Sequence, residues 1–278
     1  MAGASMKDIK LRIRSVESTK QITSAMQLVA GSKLRRARQR MEDTRPYMKI
    51  VRQVVGDIAA HRDVESPFFN EPADNRTCVV VIAGDRGLAG HYNAAVFKIA
   101  DELISGESVV LPIGKKAVDR YTHRGASILS ADYVKAEHVS AADCRAMADL
   151  LIQGYLEGRF SRVTLVDTMF VSAMTQNAQT TTLLPIERPE QPSSHSQMIM
   201  EPKPEQLLEA IMPDYLTGCL YGAVCDAVAC EMASRRNAMD SATKNADQMI
   251  ADLSLHYNRA RQSSITQEIT EIVAGAEQ

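Results

Sequence analysis

Tryptophan is absent from the sequence, and Phe and Tyr together make up only 5% of its 278 residues. Ala and Met supply much of the 45% hydrophobic content instead, and small or flexible apolar residues suit close helix–helix packing better than a thick globular core. The five cysteines are odd in number and form no CxxC pair. We therefore expect no disulfide framework and no zinc or other metal site.

Long apolar runs are also missing. The first residues contain no apolar segment typical of a signal peptide, and no uninterrupted run approaches the roughly 20 residues needed to span a bilayer. A net charge of −2 is too small to indicate nucleic acid or a membrane surface as the partner of the whole chain. We expect a cytoplasmic protein without direct membrane insertion, which reaches a membrane only through a partner.

The charge is distributed unevenly. Residues 1–60 contain 13 Lys and Arg against 5 Asp and Glu, whereas residues 205–278 contain 5 against 11. Two ends of opposite sign attract each other if they lie side by side. Two separate solvated faces would give the same count, so charge alone leaves both arrangements open.

The two ends of the chain predict long helices. Residues 6–57 contain one Pro and two Gly, with apolar residues at steps of 3 or 4 whose phase slips between groups. Residues 223–274 contain neither Gly nor Pro, which predicts a helix of roughly 80 Å at 1.5 Å per residue. The globular core of a 278-residue chain cannot bury a helix of that length from end to end. We therefore expect the two helices to form a loosely wound antiparallel coiled coil.

The middle of the chain alternates strand and helix patterns, with expected strands at 77–83, 108–113, 162–166 and 180–186. This alternation predicts a small α/β sheet with helices packed on it. The predicted fold class is α/β, with the coiled coil plus a small Rossmann-like α/β domain. Its three parts are an N-terminal helix at 1–60, an α/β domain at 75–205 and a C-terminal helix at 206–278.

Two motifs have competing interpretations. Residues 84–90, GDRGLAG, follow a strand and open a helix, but they match neither GxGxxG nor a P-loop, so a tight turn is favoured over nucleotide binding. A basic run surrounds Lys33, Arg35 and Arg36. No aromatic residues interleave with this run, which leaves a solvated face or an acidic partner surface as alternatives to nucleic acid.

Three sequence blocks carry a resemblance to a known family. They are SVESTKQITSAMQLVAGSKL at 15–34, DRGLAGHYN at 85–93 and YNRARQSSITQEITEIVAGA at 257–276. Over essentially the whole chain the sequence resembles the gamma subunit of the F-type ATP synthase. The absence of a transit peptide favours a bacterial type.

The resemblance implies a non-catalytic rotor shaft that needs no cofactor. Its coiled coil would turn inside a ring of three alpha and three beta subunits, with the chemistry in the beta subunits. Its α/β domain would grip the epsilon subunit and the membrane c-ring, whose ion-driven rotation would move the beta sites through their conformations. The location would be the cytoplasmic side of the cell membrane, as a peripheral protein.

The resemblance also implies roles for individual residues. Met26 matches a position near an acidic lever loop of the beta subunit, followed by basic positions at Lys33, Arg35 and Arg36, with Arg235 on the opposite helix. Arg261 and Gln262 match a pair that hydrogen-bonds a catch loop of the beta subunit. The remaining matches are polar positions of the upper shaft and one candidate contact with the c-ring: Thr266, Glu268, Glu271 and, for the c-ring, Glu201.

Two rival hypotheses belong to other functional classes. The first is an autonomous nucleotide-binding enzyme that uses residues 84–90, which ATP or NAD binding by the isolated chain would favour. The second is a coiled-coil scaffold or nucleic-acid-binding arm that uses the basic run, which a steep salt dependence of DNA binding would favour.

Overall fold

The computed structural model describes residues 6–61, 63–70, 74, 76–188 and 203–276. Two long helices bracket an alternating set of strands and shorter helices. In chain order the elements are α1 Met6–Ala59, β1 Thr77–Ile82, α2 Tyr92–Leu103, β2 Val109–Ile113, α3 Lys115–His123, β3 Ser127–Ile128, α4 Ala141–Leu156, β4 Arg162–Phe170, β5 Gln176–Leu184 and α5 Pro204–Ala276. Two short 3₁₀ turns lie at Pro67–Phe69 and Ala136–His138.

The five strands form one sheet in the order β3-β2-β1-β4-β5. Strands β1, β2, β3 and β4 are parallel, and β5 joins β4 as an antiparallel hairpin at the edge. Val80 of β1 pairs with Leu111 of β2 and Leu165 of β4, so β1 lies inside the sheet. The predicted α/β class with long terminal helices is confirmed.

Alternate residues of β1 explain why the strand is apolar throughout. Cys78, Val80 and Ile82 point into a core shared with α1, α4 and α5. Val79 and Val81 point to the other face, into a core shared with α2 and α3. Because both faces are covered, neither set of side chains meets water, as is usual for parallel sheets.

The chain divides by its contacts into two compact units, residues 32–234 and residues 1–31 with 235–278. In the first unit, α1 approaches α5 closely because α5 carries glycines on the facing side. A methyl group at Gly218 would lie 2.8 Å from Met48 Sδ, and one at Gly222 would lie 3.3 Å from Met48 Cγ. The division of the chain at 1–60, 75–205 and 206–278 remains a prediction.

In the second unit the two helices run antiparallel. Lys20 Nζ lies 2.6 Å from Asp247, and the hydroxyls of Thr23 and Thr243 lie 2.8 Å apart. Gln27 Nε2 donates to Asp240 Oδ1 at 2.9 Å. The partner number on α5 falls as the number on α1 rises, which is the predicted antiparallel pairing. The Lys20–Asp247 pair joins the basic and acidic ends, although its exposure limits its contribution to stability.

The β4–β5 hairpin is longer than the sequence indicated. Strand β4 continues past Val166 to Phe170, and β5 begins at Gln176 rather than at residue 180. Asp167 interrupts the apolar run of β4, and Gln176–Leu184 is polar over most of its length, so neither segment has a strong strand pattern. Backbone pairing along the edge holds both segments in the sheet.

All five cysteines are free and buried. Burial raises the pKa of Cys78 to about 12, so this thiol stays protonated at neutral pH. One 18-residue window of α5 reaches a mean hydropathy of 1.3. Because 78% of that window is buried within the protein, the apolar character matches a core helix.

Asp167 is a buried carboxylate on β4, only 4% exposed. Burial raises its pKa to about 6, and the nearby Asp226 carboxylate adds to the rise, while Gln179 and Arg52 partly oppose it. Within the described residues, Oδ1 of Asp167 has no hydrogen-bond partner. The ionised form is therefore poorly compensated in the folded state.

We predict that Asp167→Asn stabilises the chain at neutral pH. A folded pKa of about 6 against a usual 3.8 means that the protonated carboxyl group favours folding below pH 4, and that this contribution is lost as pH rises through 6. The neutral amide should therefore raise the free energy of unfolding on the order of 1–3 kcal/mol at pH 7.5 and change it little at pH 4. Urea denaturation at both pH values measures this difference.

Asp101→Asn is the control, because it should change the free energy of unfolding in the opposite direction. Burial opposes ionisation of Asp101, but Arg120 and Arg124 lower its pKa overall. Its neutralisation should destabilise the chain above pH 4. Equal effects of the two substitutions at pH 7.5 would contradict the prediction for Asp167.

We also predict that Ala242→Pro opens α5 locally. Proline at 242 removes one backbone donor inside the helix and collides with the preceding turn, which costs about 3 kcal/mol or more. Hydrogen–deuterium exchange should accelerate in the residues flanking 242, whereas Ala242→Ser should leave their protection nearly unchanged. Unaltered protection in the proline variant would contradict a continuous helix at this position.

Candidate functional site

The last turns of α5 present the strongest sequence-predicted residues to solvent. Arg261 and Gln262 are both exposed, and Arg261 has no ion-pair or hydrogen-bond partner among the described residues. A guanidinium with five free donors beside an amide that donates and accepts is well suited to a carboxylate-bearing partner. The structure therefore leaves this pair available for an intermolecular contact.

The polar residues that follow form bonds within their own helix. Thr266 Oγ1 donates to the Gln262 carbonyl at 2.9 Å. Ser264 donates to Glu268 at 3.3 Å, and Gln267 donates to Glu271 at 3.0 Å. These i to i+4 bonds are exposed, and each contributes only tenths of a kcal/mol. The side chains can exchange them for a partner with little loss.

An apolar stripe lies on the same part of α5. Ile265, Ile269, Ile272 and Val273 are exposed by 46%, 57%, 70% and 54%. Their spacing of 4, 3 and 1 places them on one side of the helix. A helix that exposes such a stripe needs a covering partner.

Met26 lies in the same unit, on α1, and is half-buried. Its neighbours Ile22, Leu28 and Val29 are exposed by 58%, 74% and 58%. Arg235 differs, because it is only 7% exposed in this chain and makes interactions within it.

The basic run occupies the other unit, and its members have different surroundings. Lys33 Nζ lies 2.7 Å from both carboxylate oxygens of Glu137, and this bond lowers the pKa of Glu137. Arg35 and Arg36 are exposed. Arg36, Lys33 and Arg40 line a cavity of about 170 Å³ beside α5. Lys33 is thus engaged in an ion pair within the chain, whereas the side chains of Arg35 and Arg36 are accessible to a partner.

Residues 84–90 form a turn between β1 and α2, as favoured from the sequence. Leu88 and Gly90 have φ values of 61° and 57°, which give the turn its sharp curvature. The Gly84 N–H donates to Asn93 Oδ1 at 2.8 Å, and the Arg86 N–H donates to Glu231 at 3.4 Å. A phosphate-binding loop needs such N–H groups for its ligand, but here side chains of the protein accept from them.

The Asp85 side chain in the same turn also accepts from backbone N–H groups. Its carboxylate accepts from the backbone N–H groups of Ala136, Glu137 and Lys115 at 2.8, 3.2 and 3.3 Å. The donors at the start of α3 and of the 3₁₀ turn Ala136–His138 are therefore satisfied internally. This arrangement favours a structural role for the loop.

Sequence reasoning missed Glu231, which is only 2% exposed. The available signal was a lone carboxylate between Cys230 and Met232 in an otherwise apolar stretch of α5. Charged residues are seldom fully buried unless they are paired, so such a position indicates a specific partner.

The candidate c-ring residue Glu201 lies outside the described residues, so its role stays a prediction. Within the described ranges, no group of three or more His, Cys, Asp or Glu side chains could hold a metal ion.

Comparisons with known proteins identify the family. The profile of the family described as ATP synthase matches residues 5–278. The ATP synthase gamma chain of Ruminococcus albus is 45% identical, over 97% of this chain and 96% of the relative. The gamma chain of Alkaliphilus metalliredigens is 41% identical over 99% of both chains, and the one from Acetobacterium woodii, described as sodium ion specific, is 36% identical over 98% of both.

Solved structures share the fold. A chain of the Euglena gracilis mitochondrial ATP synthase, in a structure of OSCP, F1 and c-ring, matches with a TM-score of 0.67 at 16% identity, over 98% of this chain and 93% of that one. A chain of the Tetrahymena thermophila central stalk and c-ring matches with a TM-score of 0.60 at 24% identity, over 80% and 99%. The match of sequence over nearly the full length shows that the chain belongs to the gamma chain family of the ATP synthases.

Proposed function

We propose that this chain is the central rotor shaft of an F-type ATP synthase. It couples ion-driven rotation of the membrane c-ring to the conformational cycle of the beta-subunit catalytic sites. Membership of the gamma chain family supports this role. The antiparallel helix pairing between residues 20–27 and 240–247 agrees with a shaft.

The exposed end of α5 is the strongest structural support for this role. Its apolar stripe from Ile265 to Val273 is exposed, and the side chains of Arg261 and Gln262 are exposed beside it. An exposed apolar stripe of this kind is typical of a surface that a partner protein covers. A ring of alpha and beta subunits supplies such an enclosure, and a carboxylate on a beta-subunit loop would pair with Arg261.

The shaft works without catalytic chemistry of its own. Its contacts favour one conformation of a beta site over another, so a change in shaft angle changes which conformation is populated. Met26, Arg35 and Arg36 are further contact candidates because their side chains are at least partly accessible. Lys33 and Arg235 belong to the proposed contact set as well, although both interact within the chain.

The remaining partners follow from the same proposal. The α/β domain would hold the epsilon subunit and the c-ring, with Glu201 as a contact candidate. The chain would then be peripheral to the cell membrane on its cytoplasmic side and would need no cofactor.

Arg261→Ala tests the contact at the end of α5. Loss of one charge-assisted hydrogen bond costs on the order of 1.5–3 kcal/mol. We expect steady-state ATP synthesis and hydrolysis by the whole complex to fall by about one to two orders of magnitude if this bond forms in the rate-limiting state. Nucleotide affinity of an isolated beta subunit should not change.

Arg259→Ala is the matched control, because it removes the same charge from an exposed position about 200° around the helix. We expect that complex to work near the parental rate. If the Arg261 complex assembles and turns over at the parental rate, Arg261 does not contact the beta subunit.

Met26→Lys tests the contact on α1. The new ammonium group should strengthen attraction to an acidic beta-subunit loop and hold the shaft in one position, since a charged hydrogen bond contributes about 1.5–3 kcal/mol. We expect intact assembly but less ion transport per ATP hydrolysed in membrane vesicles. Met26→Leu keeps the apolar volume and should remain coupled. Normal coupling in the Lys variant would place Met26 away from the contact.

A further inference from the structure

Glu231 is the most deeply buried charged side chain of α5 that the proposed partner contacts do not use. It lies directly under the loop of residues 84–90. A methyl group at Gly84 would lie 2.7 Å from Glu231 Cδ and 2.8 Å from its Oε1, so only glycine allows this approach. The same Oε1 accepts from the Arg86 N–H at 3.4 Å. The 84–90 loop and α5 therefore pack closely at Gly84 and Glu231.

Two more hydrogen bonds join the same elements. Ser234 Oγ donates to the Ala89 carbonyl at 2.8 Å, and both residues are buried. The Tyr92 hydroxyl, at the start of α2, donates to the Ala227 carbonyl at 3.2 Å. The contacts on α5 thus span residues 227–234, two helical turns.

The loop is connected to α1 through the segment 136–139. Asp85 accepts from the Ala136 and Glu137 N–H groups, and Glu137 in turn pairs with Lys33 at 2.7 Å. Arg40 donates to the Val139 carbonyl at 2.6 Å. A continuous set of contacts therefore runs from α1 through segment 136–139 and loop 84–90 to α5, all within residues 32–234.

We propose that the 84–90 loop is a torsional clamp, in which Glu231 is the positioning residue that locks the α/β sheet to α5. The clamp makes a rotation of the sheet turn both helices without slip. This inference rests on the proposed rotor function. It assigns to the loop a mechanical role in place of the ligand binding that its position after β1 suggests.

The hydrogen bond between Ser234 and Ala89 lies between two buried residues. Breaking it deprives buried polar groups of a partner, which costs more than the same loss at an exposed site. Removing the Glu231 charge should shift the balance between clamped and released states by about tenfold or more. The shift toward the released state matters when rotation is coupled to ion transport, because the torque between the c-ring and the beta subunits must then cross these contacts. It matters less when ATP hydrolysis turns the shaft without driving ion transport.

The test uses the assembled complex in membrane vesicles. Glu231→Gln keeps the shape and removes the charge, and Gly84→Ala displaces the carboxylate. We expect both to assemble, and the ratio of ions transported to ATP hydrolysed to fall roughly twofold or more. Gly87→Ala is the control in the same loop, since a methyl group there meets nothing within 4 Å and should keep the parental ratio.

A double variant separates the clamp from a general structural defect. Because both substitutions break one contact, Gly84→Ala combined with Glu231→Ala should reduce the ratio no further than Glu231→Ala alone. Additive losses would overturn the clamp, as would parental ratios in both single variants. If the parental chain itself supports no ion-coupled turnover in the complex, the rotor function fails instead, and the clamp fails with it.

Discussion

The close packing of α1 against α5 is the interaction on which the rest of the structure depends. A helix of 73 residues cannot bury its apolar face against its own turns, and isolated helices gain little stability from propensity alone. Within residues 32–234, Gly218 and Gly222 let Met48 reach the α5 backbone. This packing also explains why Pro46 and Pro213 are tolerated inside helices, since tertiary contacts outweigh the local loss of a hydrogen bond.

The sheet uses a position that α/β proteins usually reserve for ligands. Strand β1 lies between β2 and β4, so the chain leaves it at the point where the strand order reverses, and ligands commonly bind beyond the carboxyl ends of strands there. In this protein the N–H groups at that edge bind Asp85, Asn93 and Glu231. The fold thus keeps the geometry of a ligand site and fills it with its own side chains.

Much of this fold could be predicted from the sequence, because each long helix and each apolar strand has a strong local pattern. Strands β1 and β2 each differ from their predicted bounds by one residue. The β4–β5 hairpin was predicted too short, because Asp167 and the polar residues of β5 depend on pairing and not on hydrophobic pattern. Loop 84–90 was interpreted correctly as a turn, but its hydrogen bond to Glu231 joins residues 145 positions apart, which no local pattern reveals.

The two kinds of polar contact in the chain suit two mechanical demands. Ser234 makes a buried bond to Ala89, and the buried side chain of Glu231 accepts from the Arg86 N–H, so separation deprives buried polar groups of a partner and is resisted. Thr266, Glu268 and Glu271 make exposed bonds within one helical turn, each contributing only tenths of a kcal/mol. A rotating shaft needs both properties. Its internal joints must not slip, whereas its outer surface must exchange partners repeatedly, so bonds near the end of α5 have to form and break with small changes in free energy.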